Sequence, residues 1–130
     1  MIVADASALV QACLSKVDLR LLASHDLIAP PLLWSEATSA IHELKWRRQV
    51  SASLAAVALA KLQEAPVRLR RPAGLQAEAW LLADRFGWAK TYDAEYVALA
   101  RLAKCRLLTI DAKLAAVAKQ VVDVVGPSDL

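Results

Sequence analysis

Arg106-Leu107-Leu108-Thr109-Ile110-Asp111 reads as a short apolar strand that stops on an acid, with a helix following to Lys119. The amino terminus follows the same plan. Ile2-Val3-Ala4 meets Asp5, and the alanine-rich stretch Ala6–Leu14 behind it is helical by length and composition. Working outward, Leu27-Ile28-Ala29 and Val67–Leu69 read as strands, Trp88–Lys90 as a stub of strand and Val121–Val125 as the last strand. Between them the periodicity predicts helices over Leu19–Ala23, Leu32–Arg48, Ala52–Glu64, Ala73–Phe86 and Asp93–Lys104. The third helix has the stripe Leu33, Ala37, Ala40, Ile41 and Leu44, and the helix from Asp93 has Ala94, Val97, Ala98 and Leu102. Pro30 fixes a strand exit, Pro31 suits a first helical turn, and Gly87 stands where a left-handed C-cap is needed. Short strands alternating with longer helices mean an α/β fold with a mostly parallel sheet, and the right-handed crossover rule puts helices on both faces.

The chain has 130 residues, of which 58% are hydrophobic and 22% charged, and it reads as one domain over residues 1–130. Disorder is excluded by so apolar a composition. A spanning helix is excluded because charges interrupt every apolar run before ~18 residues. No basic leader precedes the first apolar run, so a cytoplasmic location is expected. The net charge of +3 suits a polyanionic partner, yet solubility alone would also produce it. Cys13 and Cys105 lie far apart with no ligand near either in sequence, which reads as two buried free thiols.

Several kinds of site lack their residues. A phosphate cradle needs clustered glycines, and Gly74, Gly87 and Gly126 stand alone. Structural zinc needs Cys or His at close spacing, and His25 and His42 are isolated. No nucleophile elbow surrounds Ser7. Acids remain. Asp5 and Asp111 each follow a strand and precede a helix, which in a parallel sheet brings both to the carboxyl edge, where α/β proteins bind ligands. Asp93 opens the helix leading into the Asp111 strand. Glu36 lies on the margin of an apolar stripe, with Leu32, Leu33, Ser39 and Ala40 at helical spacing and therefore no cation on its own helix. Glu43, by contrast, has Arg47 four residues on. Taken singly each aspartate reads as an N-cap, and Glu36 as a boundary residue. Taken together, two acids ~4 Å apart repel by about 4 kcal/mol at an effective dielectric near 20, and a hard divalent cation with oxygen ligands offsets such a cost.

These residues also carry a likeness. Val3-Ala4-Asp5-Ala6-Ser7-Ala8, Pro30-Pro31 with Trp34-Ser35-Glu36, Thr91-Tyr92-Asp93-Ala94-Glu95-Tyr96-Val97-Ala98-Leu99-Ala100, and Leu107-Leu108-Thr109-Ile110-Asp111 resemble PIN-domain ribonucleases, and more narrowly VapC-type toxins of type II toxin–antitoxin pairs. The resemblance covers almost the whole chain as a single PIN domain. It implies a sheet ordered 3-2-1-4-5, a Mg²⁺- or Mn²⁺-dependent endoribonuclease, a homodimer and a small antitoxin protein. The family's acids match Asp5, Glu36, Asp93 and Asp111, and its supporting hydroxyls match Ser7 and Thr109. The chain departs at Ser39, where the family often has Asn.

The expected chemistry is metal-assisted hydrolysis of an RNA phosphodiester. Asp5, Asp93 and Asp111 hold one or two cations, a single ion being favoured, Glu36 completes the metal shell or positions water, and no membrane is involved. Acids alone repel a phosphate backbone, so rim cations are sought among Lys45, Arg47, Arg48, Arg68, Arg70, Arg71, Arg85 and Lys90. Trp34, Trp46, Trp80 and Trp88 read as core or interface before they read as base-stacking residues. Two other readings stay open: a non-catalytic module that binds RNA or an antitoxin, and a receiver-like phosphoacceptor, which also gathers acids at a sheet edge but places two together after its first strand.

Overall fold

The computed structural model describes residues 1–15 and 18–130. Five short strands, β1 (Ile2–Ala4), β2 (Leu27–Ala29), β3 (Val67–Leu69), β4 (Arg106–Leu108) and β5 (Val124–Val125), pair in parallel in the order β3-β2-β1-β4-β5. Seven helices connect them among the described residues: α1 (Ala6–Leu14), α2 (Asp18–Ala23), α3 (Leu33–Trp46), α4 (Ala52–Gln63), α5 (Leu75–Phe86), α6 (Tyr92–Ala103) and α7 (Ala112–Ala118). The α/β class, the parallel sheet and its order are as the sequence and its resemblance implied.

Both faces of the sheet are covered, which is why β1 and β2 read as unbroken apolar runs rather than alternating ones. Val3, Ile28 and Leu107 turn to the larger core, where they meet Leu9 of α1, Leu33 of α3 and Leu99 of α6. Ile2, Ala4, Leu27 and Leu108 turn the other way and meet Ala8 and Ala12 of α1 and Leu22 of α2. Each fully buried leucine contributes about 1.5–3 kcal/mol relative to exposure. At the margin, β3 is mostly exposed and carries Arg68, whose guanidinium holds Asp26 at 2.8 Å.

Several boundaries differ from the sequence reading; α3, for one, ends at Trp46, and Arg48 beyond it is left-handed (φ 58°). Residues 88–90 form no strand: the Trp88 N–H donates to the Ala83 carbonyl at 2.9 Å and the ring packs on Phe86 with centroids 5.2 Å apart, so the segment finishes α5. Helix α5 itself starts at Leu75, because Gly74 (φ 85°) is left-handed. Val121 and Val122 both donate to the Ala118 carbonyl and close α7, which leaves only two residues for β5. Strand β4 stops at Leu108 because the Thr109 hydroxyl and the Ile110 N–H bond to the side chains of Asp5 and Ser7.

Burial also refines the stripes. In α6, Leu102 is exposed, whereas Tyr96, Leu99 and Ala100 are buried between α5 and the sheet. Cys13 is buried, its thiol pushed up to about 11 by burial, but Cys105 is only half-buried. Trp34 and Trp88 pack on the core, whereas Trp46 and Trp80 are exposed. No helix among the described residues is long and apolar enough to cross a membrane.

Gly87 adopts φ 69° and closes α5 as anticipated; a Cβ there would meet nothing within 4 Å, so only backbone strain opposes a side chain. Gly87→Ala is expected to lower stability by about 1 kcal/mol, read as a fall in Tm of about 3 °C. An unchanged midpoint would show that this cap contributes nothing.

Candidate active site at the carboxyl edge of the sheet

The end of β1 and the end of β4 are tied by one carboxylate. Asp5, 5% exposed, caps α1: its Oδ1 accepts the Ala8 N–H at 2.9 Å and the Ser7 hydroxyl at 2.7 Å. Its Oδ2 accepts the Thr109 hydroxyl at 2.5 Å. The Ser7 and Thr109 oxygens lie 3.2 Å apart, but each hydroxyl has one hydrogen and directs it at Asp5, so both are left as acceptors. Those acceptors are filled by the backbone: Asp111 N–H donates to Thr109 at 3.0 Å and Ile110 N–H to Ser7 at 3.3 Å. Asp111 is in turn the N-cap of α7, with its Oδ1 taking the N–H groups of Lys113 and Leu114. Both strand-end aspartates are therefore caps as well as members of the site.

Asp93 is not a cap. Thr91 occupies that position in α6, and Asp93 sits exposed in the first turn. It couples electrostatically with each of the other three acids, Asp5, Glu36 and Asp111. Glu36 is half-buried, and the external partner it required is a phenol: Tyr96, wholly buried in α6, donates to Oε1 at 3.1 Å. Burial is the main cause that pushes the carboxyls of Asp5, Glu36 and Asp93 above their usual range, and mutual repulsion adds to it. For Asp5 and Glu36 the hydroxyl donors pull the other way. Burial beside these acids also drives the Tyr96 phenol far up, so it stays a proton donor.

All six residues singled out in the sequence thus lie along one edge. Two more belong with them. Tyr96 stands three residues beyond Asp93, on the same side of α6, and that spacing was its signal. Glu95 is half-buried, couples with Glu36, takes a hydrogen bond from Gln76 at 3.2 Å and feels Arg71 nearby. Of the rim cations sought, Arg71 is the one with a described link to this cluster; Arg47 pairs with Glu43 at 2.6 Å and Arg68 with Asp26. No ion pair among the described residues neutralises Asp5, Glu36, Asp93 or Asp111.

Lone pairs remain on every acid. A carboxylate offers about four acceptor sites. Asp5 fills three, Asp111 two and Glu36 one, while Asp93 has no hydrogen-bond donor among the described residues. An all-oxygen set of this kind suits Mg²⁺ or Mn²⁺ in its donor chemistry. As the side chains lie, no three acids, histidines or cysteines among the described residues close around one ion.

Comparison with known proteins identifies the family and the fold. The PIN-domain family model matches residues 2–120. The chain belongs to the PIN-domain family. This PIN domain is 35% identical over 115 residues to VapC ribonuclease Mb0985 of Mycobacterium bovis and to ribonuclease VapC9 of Mycobacterium tuberculosis, the match covering 88% of each chain. Its fold is similar to the crystal structure of PAE2754 from Pyrobaculum aerophilum, with a TM-score of 0.75 at 24% identity, over 98% of this chain and 90% of that one.

Proposed function

We propose that this PIN domain, taken as one unit over residues 1–130, is a metal-dependent endoribonuclease acting in the cytoplasm as the toxin of a toxin–antitoxin pair. One observation carries the reading: four carboxylates lie within electrostatic reach of one another at the carboxyl edge of the sheet, linked through Asp93, and no basic side chain among the described residues is paired to them. The VapC relatives, named as ribonucleases, support RNA as the substrate.

Asp5, Asp93 and Asp111 would hold one Mg²⁺ or Mn²⁺, which when bound supplies an activated water and neutralises charge on the phosphate. Ser7 and Thr109 fix the Asp5 carboxylate so that its remaining lone pair has one direction. Glu36, held by Tyr96 through Oε1, keeps Oε2 to orient water and receive its proton. Arg71, which is exposed and acts on Glu95, would be the cation to meet the RNA backbone. The exposed rings of Trp46 (80%) and Trp80 (64%) are apolar area that an antitoxin or a second copy in a homodimer would cover.

The test withholds the metal. With millimolar Mn²⁺ the protein should cleave single-stranded RNA and its Tm should rise, by about 2.7 kcal/mol of stability once the ion reaches a hundred times its dissociation constant. EDTA should abolish both effects. Binding of RNA without cleavage at any metal concentration would favour the non-catalytic module, and an acid-labile phosphate adduct would favour the phosphoacceptor.

A further inference from the structure

Beside the acid cluster an open groove of about 460 Å³ runs between α3 and the start of α6, its lining including Leu32, Ser35, Glu36, Ser39, Glu43 and Tyr92. Lys and Arg are absent from its lining, and of its two carboxylates Glu43 is paired with Arg47 whereas Glu36 is not, so a phosphate beside Glu36 would be repelled. An uncharged planar group would not be. The only aromatic ring in that lining is Tyr92, which is 55% exposed and whose hydroxyl has no hydrogen-bond partner among the described residues. It contrasts with Tyr96 on the same helix, which is wholly buried and engaged with Glu36. Tyr92 directly precedes Asp93, and the groove shares Glu36 with the acids, so anything lying on this ring is next to the place where the phosphodiester would be cut.

We infer that Tyr92 is a substrate-positioning residue: its ring is the platform on which the nucleobase flanking the scissile phosphate stacks, with the Ser35 and Ser39 hydroxyls along the base edge. The inference rests on the nuclease reading and deepens it by placing a base, rather than the backbone, in the groove. Stacking is sequence-tolerant because every base has a π-face, and removing one such aromatic platform raises a dissociation constant by about ten-fold.

The experiment compares Tyr92→Phe and Tyr92→Ala with the wild-type protein on a short single-stranded RNA in Mn²⁺, with kcat and KM measured separately. The Ala variant is expected to raise KM about ten-fold with kcat within about two-fold, and the Phe variant to keep both values. An RNA lacking the base beside the cut should be insensitive to Tyr92→Ala. An unchanged KM in the Ala variant, or an equal loss in the Phe variant, would overturn the stacking role. Binding of the same RNA, followed by fluorescence anisotropy with Ca²⁺ replacing Mn²⁺, separates the two levels of the argument. If the wild-type protein never cleaves but Tyr92→Ala still weakens binding, the nuclease reading fails and the platform stands. If sedimentation shows that Tyr92→Ala changes the oligomeric state while RNA binding is untouched, the groove is an interface between copies and the inference is wrong.

Discussion

Asp93→Asn is expected to reduce metal-dependent RNA cleavage by about a thousand-fold and, in the same protein without metal, to raise the Tm at neutral pH. The first effect follows from removing a cation ligand, since metal stabilisation of a reacting phosphate supplies several kcal/mol. The second follows from Asp93 being the acid that couples with all three others. Its carboxyl is pushed above the usual range by burial and by Asp111, so folding disfavours the charged form relative to the unfolded chain, a cost that the uncharged asparagine avoids. The side chain is exposed, so the gain is limited to about 1 kcal/mol, and loss of a favourable charge in the first turn of α6 subtracts part of it. A rise of about 1–3 °C is the result. The sign across pH is fixed: a carboxyl raised in the folded state costs stability as pH climbs through its folded value and costs nothing below the unfolded one, near 3.9. The advantage of the variant should therefore be present at pH 7 and fade toward pH 4, and Mn²⁺ should no longer stabilise it. A variant that melts below the wild type at neutral pH without metal would show that the acids do not strain the fold.

Thr109→Val is expected to act in the opposite direction. Its hydroxyl is buried, donates to Asp5 at 2.5 Å and accepts from the Asp111 N–H at 3.0 Å. Valine keeps the shape and leaves both groups without that partner, at a cost of about 2–3 kcal/mol, or a fall in Tm of about 6–9 °C. The Thr109 bond is the largest of the contacts that oppose the upward push of burial on Asp5, so its loss sends that carboxyl higher still. By the same linkage the deficit should be greatest near pH 8 and shrink as the solution is acidified toward the usual carboxylate range. Thr109→Ser should recover most of it. A deficit that is uniform across pH would mean that the hydroxyl does not act through the Asp5 charge, a serine variant as unstable as valine would mean that the methyl packing is needed as well, and a valine variant as stable as the wild type would mean that the hydroxyl contributes nothing.

Much of this molecule was legible because β1 and β2 are short and fully buried, so the runs at Ile2 and Leu27 had no competing amphipathic reading. The acids were legible for a related reason. An aspartate that ends such a run has one place to go in a parallel sheet, and Glu36 stood out by lacking a helical partner. What the sequence hid was decided by particular contacts, some between distant segments and some close along the chain. Nothing local marks Tyr96 as the partner of Glu36 across 60 positions. The stub at Trp88 failed because hydrogen bonds back to α5 took over, and Leu102 was misassigned because α6 is covered on more sides than one stripe describes. Asp93, expected as a cap, is instead the acid that couples electrostatically with all three others, a role that depends on strand and helix ends converging.

The two outermost strands set how copies of this domain can meet. One has three residues with an arginine in the middle, the other has two, and neither presents a row of free backbone groups long enough to recruit a neighbour's strand. Continuous β-assembly from chain to chain is thereby discouraged. Association is left to side chains on the helices, a mode that can be made and undone without disturbing the sheet that carries the acids.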